Sequence, residues 1–223
     1  MIRNSEIVKN TKPVLDGFST YLQVFFCLII ASFLSQAPGS IHEVATGNPL
    51  FLEFNYGEPI TFSDQNLITS IIVTLLVLYL SSSIQVGISL FSLDIYNGKG
   101  ISFSTMFSHF NTLKPLAVTL LLTMIITAGL ILLIIPGIIL ALMYSQVYYI
   151  LAEEPNIGVF EAFKKSEKMM KGRKGQLFML SLRAILFLAI GVFTLFIWWI
   201  WVFPRYNVAF AGFYEELKKD FNN

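Results

Sequence analysis

Residues 116–152 read LAVTLLLTMIITAGLILLIIPGIILALMYSQVYYILA, with no Asp, Glu, Lys or Arg among them. A helix needs about 20 residues to cross roughly 30 Å of hydrocarbon. The stretch is long enough for two crossings, and Ile135-Pro136-Gly137 gives it a place to turn. Proline has no N–H and clashes with a preceding helical turn, while glycine accepts backbone angles that other residues resist. The reading is two membrane-spanning helices, 116–135 and 138–152, joined as a hairpin. A soluble core built from amphipathic elements has no need of apolar runs this long.

Outward from this hairpin, further apolar runs cover residues 18–34, 67–93 and 177–214. The last is too long for one crossing and suits two short ones, turning between Gly191 and Pro204 with Arg205 just beyond. The expectation is an all-α integral membrane protein of about six transmembrane helices in three hairpins, forming one polytopic domain over residues 1–223. Composition agrees: 55% of the chain is hydrophobic and 13% charged, against about a quarter charged in soluble domains. The segments 116–152 and 177–214 also suggest an internal repeat. Ile101, Phe103, Met106 and Phe107 precede the first at the offsets that Ile157, Val159, Ala162 and Phe163 keep before the second, a spacing shared by any two amphipathic helices.

The charges then orient the spans. Thirteen of the fifteen Lys and Arg residues fall on one side. They occupy the N-terminal segment 1–17, amphipathic segments 94–114 and 153–176, and the tail 215–223. On the other side, the loop 35–66 carries Glu43, Glu53, Glu58 and Asp64 and no basic residue. The positive-inside rule makes both termini cytoplasmic and the 35–66 loop external. Ser35-Gln36-Ala37 resembles a signal-peptide cleavage site, but the apolar core begins late, Pro38 would follow the cut, and more spans come after, so the first run is a retained helix. Within the external loop, residues 52–62 read as a short hairpin turning at Tyr56-Gly57. Its aromatic residues suit the headgroup layer, or else an extracellular partner.

Residues 156–174 are the most informative polar stretch. Asn156 after Pro155 suits a helix start and Gly172 its end. Phe160, Phe163 and Met170 share one side, while Lys164, Lys165, Lys168 and Lys171 crowd another, extended by Arg173 and Lys174. This reads as an interfacial helix whose basic face contacts anionic lipid headgroups; the plainer reading is a loop that only sets topology. Arg183, two turns into the fifth span, is read as an anchor snorkelling to the same headgroups in preference to a substrate or proton site. Arg205 suits an external interfacial position. Thr119, Thr123 and Thr127 on the third span, and Gly137, Ala141 and Ser145 on the fourth, repeat every four residues, the spacing of close helix packing. Pro136 and Pro204 mark hairpins.

Catalytic machinery is not expected. Gln23, Gln85, Gln146 and Asn207 are polar, but no carboxylate lies well inside a span, so the usual proton or cation relay is missing. His42 and His109 fall on opposite sides and cannot share a metal. Cys27 lies in an apolar run and reads as a packed, inert thiol. No serine has a base in a recognisable arrangement, and phosphate-binding glycine patterns are absent. The expectation is no catalytic residue, cofactor or metal, and a net charge of +1 gives no general field for nucleic acid.

Ile135-Pro136-Gly137-Ile138, Tyr144-Ser145, Tyr149-Ile150-Leu151-Ala152, Pro155-Asn156-Ile157-Gly158, Glu161-Ala162 and Lys165-Ser166 form a pattern that continues through Met169-Met170-Lys171-Gly172 and Lys174. Phe203-Pro204, Asn207, Ala209, Phe213-Tyr214 and Glu216-Leu217-Lys218 extend it, and Gly87, Leu93-Asp94 and Gly98-Lys99 precede it. This pattern resembles an uncharacterised bacterial integral membrane family catalogued as domain of unknown function 975. The resemblance implies a multi-pass protein of a Gram-positive plasma membrane and carries over no activity or catalytic residue. It gives no help with the 35–66 loop. The functional expectation is a non-enzymatic envelope accessory or scaffold protein that binds anionic lipid or another membrane protein. The alternative is a small transporter, or a protein protecting against membrane-active cationic peptides, motivated by the acidic external loop.

Overall fold

In the computed structural model, which describes residues 4–11, 15, 17–46, 64–108, 110–193 and 198–222, the long apolar run is divided at a single residue. Leu133 takes an extended backbone, φ −168° and ψ 150°, between α4 (Lys114–Leu132) and α5 (Ile134–Tyr144). The turn therefore precedes the expected Ile135-Pro136-Gly137. Pro136 lies in the first turn of α5, where its missing N–H costs no hydrogen bond. Gly137 packs instead of turning: a Cβ on it would press on Leu130, and one on Gly129 would lie 3.0 Å from the Gly137 Cα. After a break at Ser145 and Gln146, α6 (Val147–Glu153) completes the return.

The remaining elements are α1 (Asn4–Asn10), α2 (Phe18–Thr46), α3 (Asp64–Tyr96), a 3-10 turn (Phe103–Phe107), α7 (Val159–Met169), α8 (Lys174–Phe193) and α9 (Trp199–Asn222). Among the described residues there is no strand. The segment expected as an external loop from residue 35 begins as helix, since α2 continues to Thr46 and α3 starts at Asp64. The hairpin expected at 52–62 lies outside the described residues. Pro204 is inside α9 and marks no turn.

Helix α3 is central, packing against α2, α4, α6, α9 and the 3-10 turn. One of its faces gives Val86 and Leu93 to a core shared with Leu151, Phe163, Leu180 and Phe213. Its other face gives Ile84 and Phe91 to a second core with Leu28, Met106 and Val208. Three of its buried serines bond on their own helix: Ser82, Ser89 and Ser92 donate to the carbonyls of Tyr79, Gln85 and Ile88. The 3-10 turn comes close because residue 87 is glycine, and any Cβ there would overlap the Met106 backbone.

Four segments among the described residues are long and apolar enough to cross a membrane: Thr74–Tyr96, Lys114–Leu132, Ile134–Glu153 and Lys174–Gly191. Six were expected. The described apolar part of α2, Phe18–Ser32, is shorter than a span, and α9 carries Arg205, Glu215, Glu216, Lys218 and Lys219. The outward faces are themselves apolar, with Ile131 81% and Ile135 72% exposed. Such a surface is costly in water and ordinary in lipid.

Candidate functional site

One end of the bundle is held by charge. Lys218 donates to Glu153 at 2.7 Å and the Tyr214 hydroxyl donates to the same carboxylate at 2.9 Å, joining α9 to α6. Asn97 donates to Glu215 at 3.0 Å, joining the end of α3 to α9. Arg173 pairs with Asp220 at the start of α8, and Lys114 donates to the Pro155 carbonyl at 2.7 Å. The ends of α3, α6 and α9 and the starts of α4 and α8 therefore lie together. A polar cavity of about 300 Å³ lies among Asp94, Lys99, Glu153, Glu154 and Lys218. Its charges largely answer one another, as the Lys99–Asp94 pair at 3.1 Å illustrates.

Helix α7 lies at this same end. Its N-cap is Gly158 and not Asn156, and the Gly158 N–H donates to Glu161 Oε2 at 3.2 Å. Gly172 follows the helix with φ +78°, the left-handed conformation glycine tolerates best. The apolar residues expected on one lipid-facing side divide between two surroundings. Phe163 and Met170 are buried in the protein core, Phe163 against the Tyr144 ring at 5.1 Å, whereas Phe160 is 77% exposed. The basic residues divide too. Lys165 pairs with Glu154, Arg173 with Asp220, and Lys174 lies 3.3 Å from the Met143 sulfur. Lys164, Lys168 and Lys171 are exposed and have no hydrogen-bond or ion-pair partner among the described residues. Phe160, Lys164 and Lys168 recur every four residues along α7, and Lys171 continues the stripe in the turn that follows.

The two arginines of the apolar segments meet. Arg183 and Arg205 line one cavity of about 710 Å³ between α1, α2, α8 and α9. Their meeting follows from the antiparallel course of α8 and α9, pinned by Arg173–Asp220 at one end and by Trp199 Nε1 donating to the Leu188 carbonyl at 2.8 Å toward the other. Arg205 is half-buried, and its Nε and Nη2 each lie 3.3 Å from the Val8 carbonyl, so it does not hold the separate external position expected for it. Neither guanidinium has a carboxylate partner among the described residues. Arg183 is exposed and lies within the membrane-capable segment of α8; a charge at the centre of a spanning helix costs about 2.5–3.5 kcal/mol by insertion scales unless something answers it.

The residues read as packing stripes have mixed placements. The Thr119 hydroxyl is 2.9 Å from the Tyr148 hydroxyl, while Thr123 and Thr127 are on the exposed face of α4. Ala141 is half-buried, and Ser145 donates to the Leu142 carbonyl at 2.8 Å. Pro204 is buried. Among the described residues no group of three His, Cys, Asp or Glu is placed to hold a metal. Sequence reading did not pair Arg183 with Arg205; only the register of α8 against α9 shows that they share a cavity.

Among the described residues the architecture is all-helical, with four membrane-capable segments, the central α3 among them, and one charge-paired end. The chain belongs to the family described as a protein of unknown function (DUF975), whose sequence profile matches residues 59–220. No curated protein and no solved structure matches it.

Proposed function

We propose that the chain is a non-enzymatic, multi-pass protein of the bacterial plasma membrane with cytoplasmic termini, acting as an envelope accessory or scaffold that engages anionic lipid. The observation that carries this reading is the stripe of Phe160, Lys164, Lys168 and Lys171, which has no partner in the bundle and stands immediately before the membrane-capable helix α8. Lysines near an anionic leaflet gain about 1 kcal/mol each, and an adjoining aromatic side chain enters the headgroup layer. Because the other face of α7 is committed to the protein core, the helix is a fixed part of the bundle that presents its charge to the surface.

The test is an environment-sensitive label at Phe160→Cys in a Cys27→Ala background, in nanodiscs of zwitterionic lipid with or without anionic lipid. Anionic lipid should shift the label's emission to the blue. The shift should fade at high salt and be lost with Lys164→Gln, Lys168→Gln and Lys171→Gln together. An emission indifferent to lipid charge would sink the reading.

A further inference from the structure

We propose that the Arg183–Arg205 cavity is a specific binding site for one anionic membrane lipid, separate from the surface stripe on α7. The cavity is amphipathic along its length. Its polar part is made by the two guanidinium groups with Ser5 and the Val8 carbonyl. Its apolar part is made by Phe187, one turn beyond Arg183 along α8, by Trp201, one turn before Arg205 on α9, and by Trp198 just ahead of that helix. Because α8 and α9 run antiparallel, those turns lead the same way, from charge toward aromatic surface.

An anion is the required complement. Two like charges share an apolar cavity, both within electrostatic reach of the Tyr206 hydroxyl, and a single backbone carbonyl accepts from Arg205 alone. A phosphate or carboxylate between them accepts charge-assisted hydrogen bonds from both. A lipid and not a soluble anion fits because the aromatic wall is open to the side: Phe187 is 42%, Trp198 42% and Trp201 38% exposed. A cavity of about 710 Å³ takes a headgroup and the first part of its chains, while the rest continues into the bilayer. The headgroup faces the charge-paired end of the bundle.

The protein's three tryptophans all lie within residues 198–201, so the chain carries its own reporter. The full-length protein in nanodiscs of phosphatidylcholine is titrated with phosphatidylglycerol brominated on its acyl chains, and in parallel with brominated phosphatidylcholine. Tryptophan emission should be quenched at a much lower mole fraction of the anionic lipid. Arg183→Gln or Arg205→Gln should raise the half-quenching fraction of that lipid about tenfold, the cost of one charge-assisted contact. Lys164→Gln, Lys168→Gln and Lys171→Gln together should leave it in place, which separates this site from the surface stripe. Equal quenching of the wild type by the two lipids overturns the proposal without any variant having to fold. So does a preference that survives Arg183→Gln with Arg205→Gln, one that disappears with the lysine variant, or displacement of the lipid by inorganic phosphate alone.

Discussion

Gly87 lets the 3-10 turn lie directly on α3, and its missing side chain is the condition of that contact because backbone, not a movable side chain, occupies the space. Gly87→Ala should therefore destabilise the detergent-solubilised protein by about 1–3 kcal/mol, the usual cost of overpacking a filled interior. Gly175, with open space around its Cβ position, is the control: Gly175→Ala should be neutral or slightly stabilising. A thermal melt followed by circular dichroism distinguishes them, and equal melting temperatures would remove the steric account. The sequence marked Gly87 only as one letter of a family pattern. Pro136 was visible as a turn marker but lies in the first turn of α5, because a proline that ends one helix is equally suited to start the next; Gly137, read both as a turn and as part of a packing stripe, packs.

At the level of the element, the clip between α6 and α9 is the joint most open to test. Glu153 accepts from the buried Tyr214 and from Lys218. Glu153→Gln should cost about 1–3 kcal/mol, since it weakens two contacts and leaves a buried hydroxyl poorly matched. Partial burial of Lys218 would by itself lower its pKa, but the hydrogen bond and charge of Glu153, with the charges of Glu215 and Glu154, together outweigh that and hold the ammonium above its ordinary 10.5. A pKa raised on folding means the clip contributes fully below the unfolded value and is lost as pH rises through the folded one. Wild type should thus lose stability on alkaline titration beyond about pH 10.5, and Lys218→Met should flatten that limb; an unchanged limb would assign the alkaline loss elsewhere. Helix α7 shows what periodicity can and cannot deliver. Its amphipathic character was legible from residues 156–174, yet Phe163 and Phe160 read alike because protein core and lipid are equally apolar. Only the bundle decides which of them is buried.

For the whole molecule, the run lengths made the membrane-capable helices legible, and the family pattern was legible over residues that the family match covers, 59–220. Four of the six expected crossings coincide with membrane-capable segments among the described residues. Helix α9 mixes aromatic, small and charged residues, which lets it serve as a packing helix with Ala209, Ala211 and Gly212 buried against its neighbours. The proposed orientation makes a direct prediction from the shared end of α3, α6, α8 and α9. In a Cys27→Ala background, Lys171→Cys and Asn222→Cys should resist an impermeant maleimide in intact spheroplasts and react after permeabilisation, while Glu58→Cys should react from outside. Labelling of Lys171→Cys and Asn222→Cys from opposite sides would require a different number of crossings.

The contacts of α1 also bear on how the chain is made. Asn4 donates to the Gln176 carbonyl across 172 positions, and Arg205 reaches the Val8 carbonyl across 197. At a synthesis rate of about 5–20 residues per second, the first helix waits roughly 10–40 s for the last one to exist. Until then the core around Ile7 lacks its α9 part and the arginine cavity lacks one of its walls. Assembly of the described helices therefore finishes at α1: a segment made before all the others is among the last to find its place, and a nascent protein stalled before α9 would still be open.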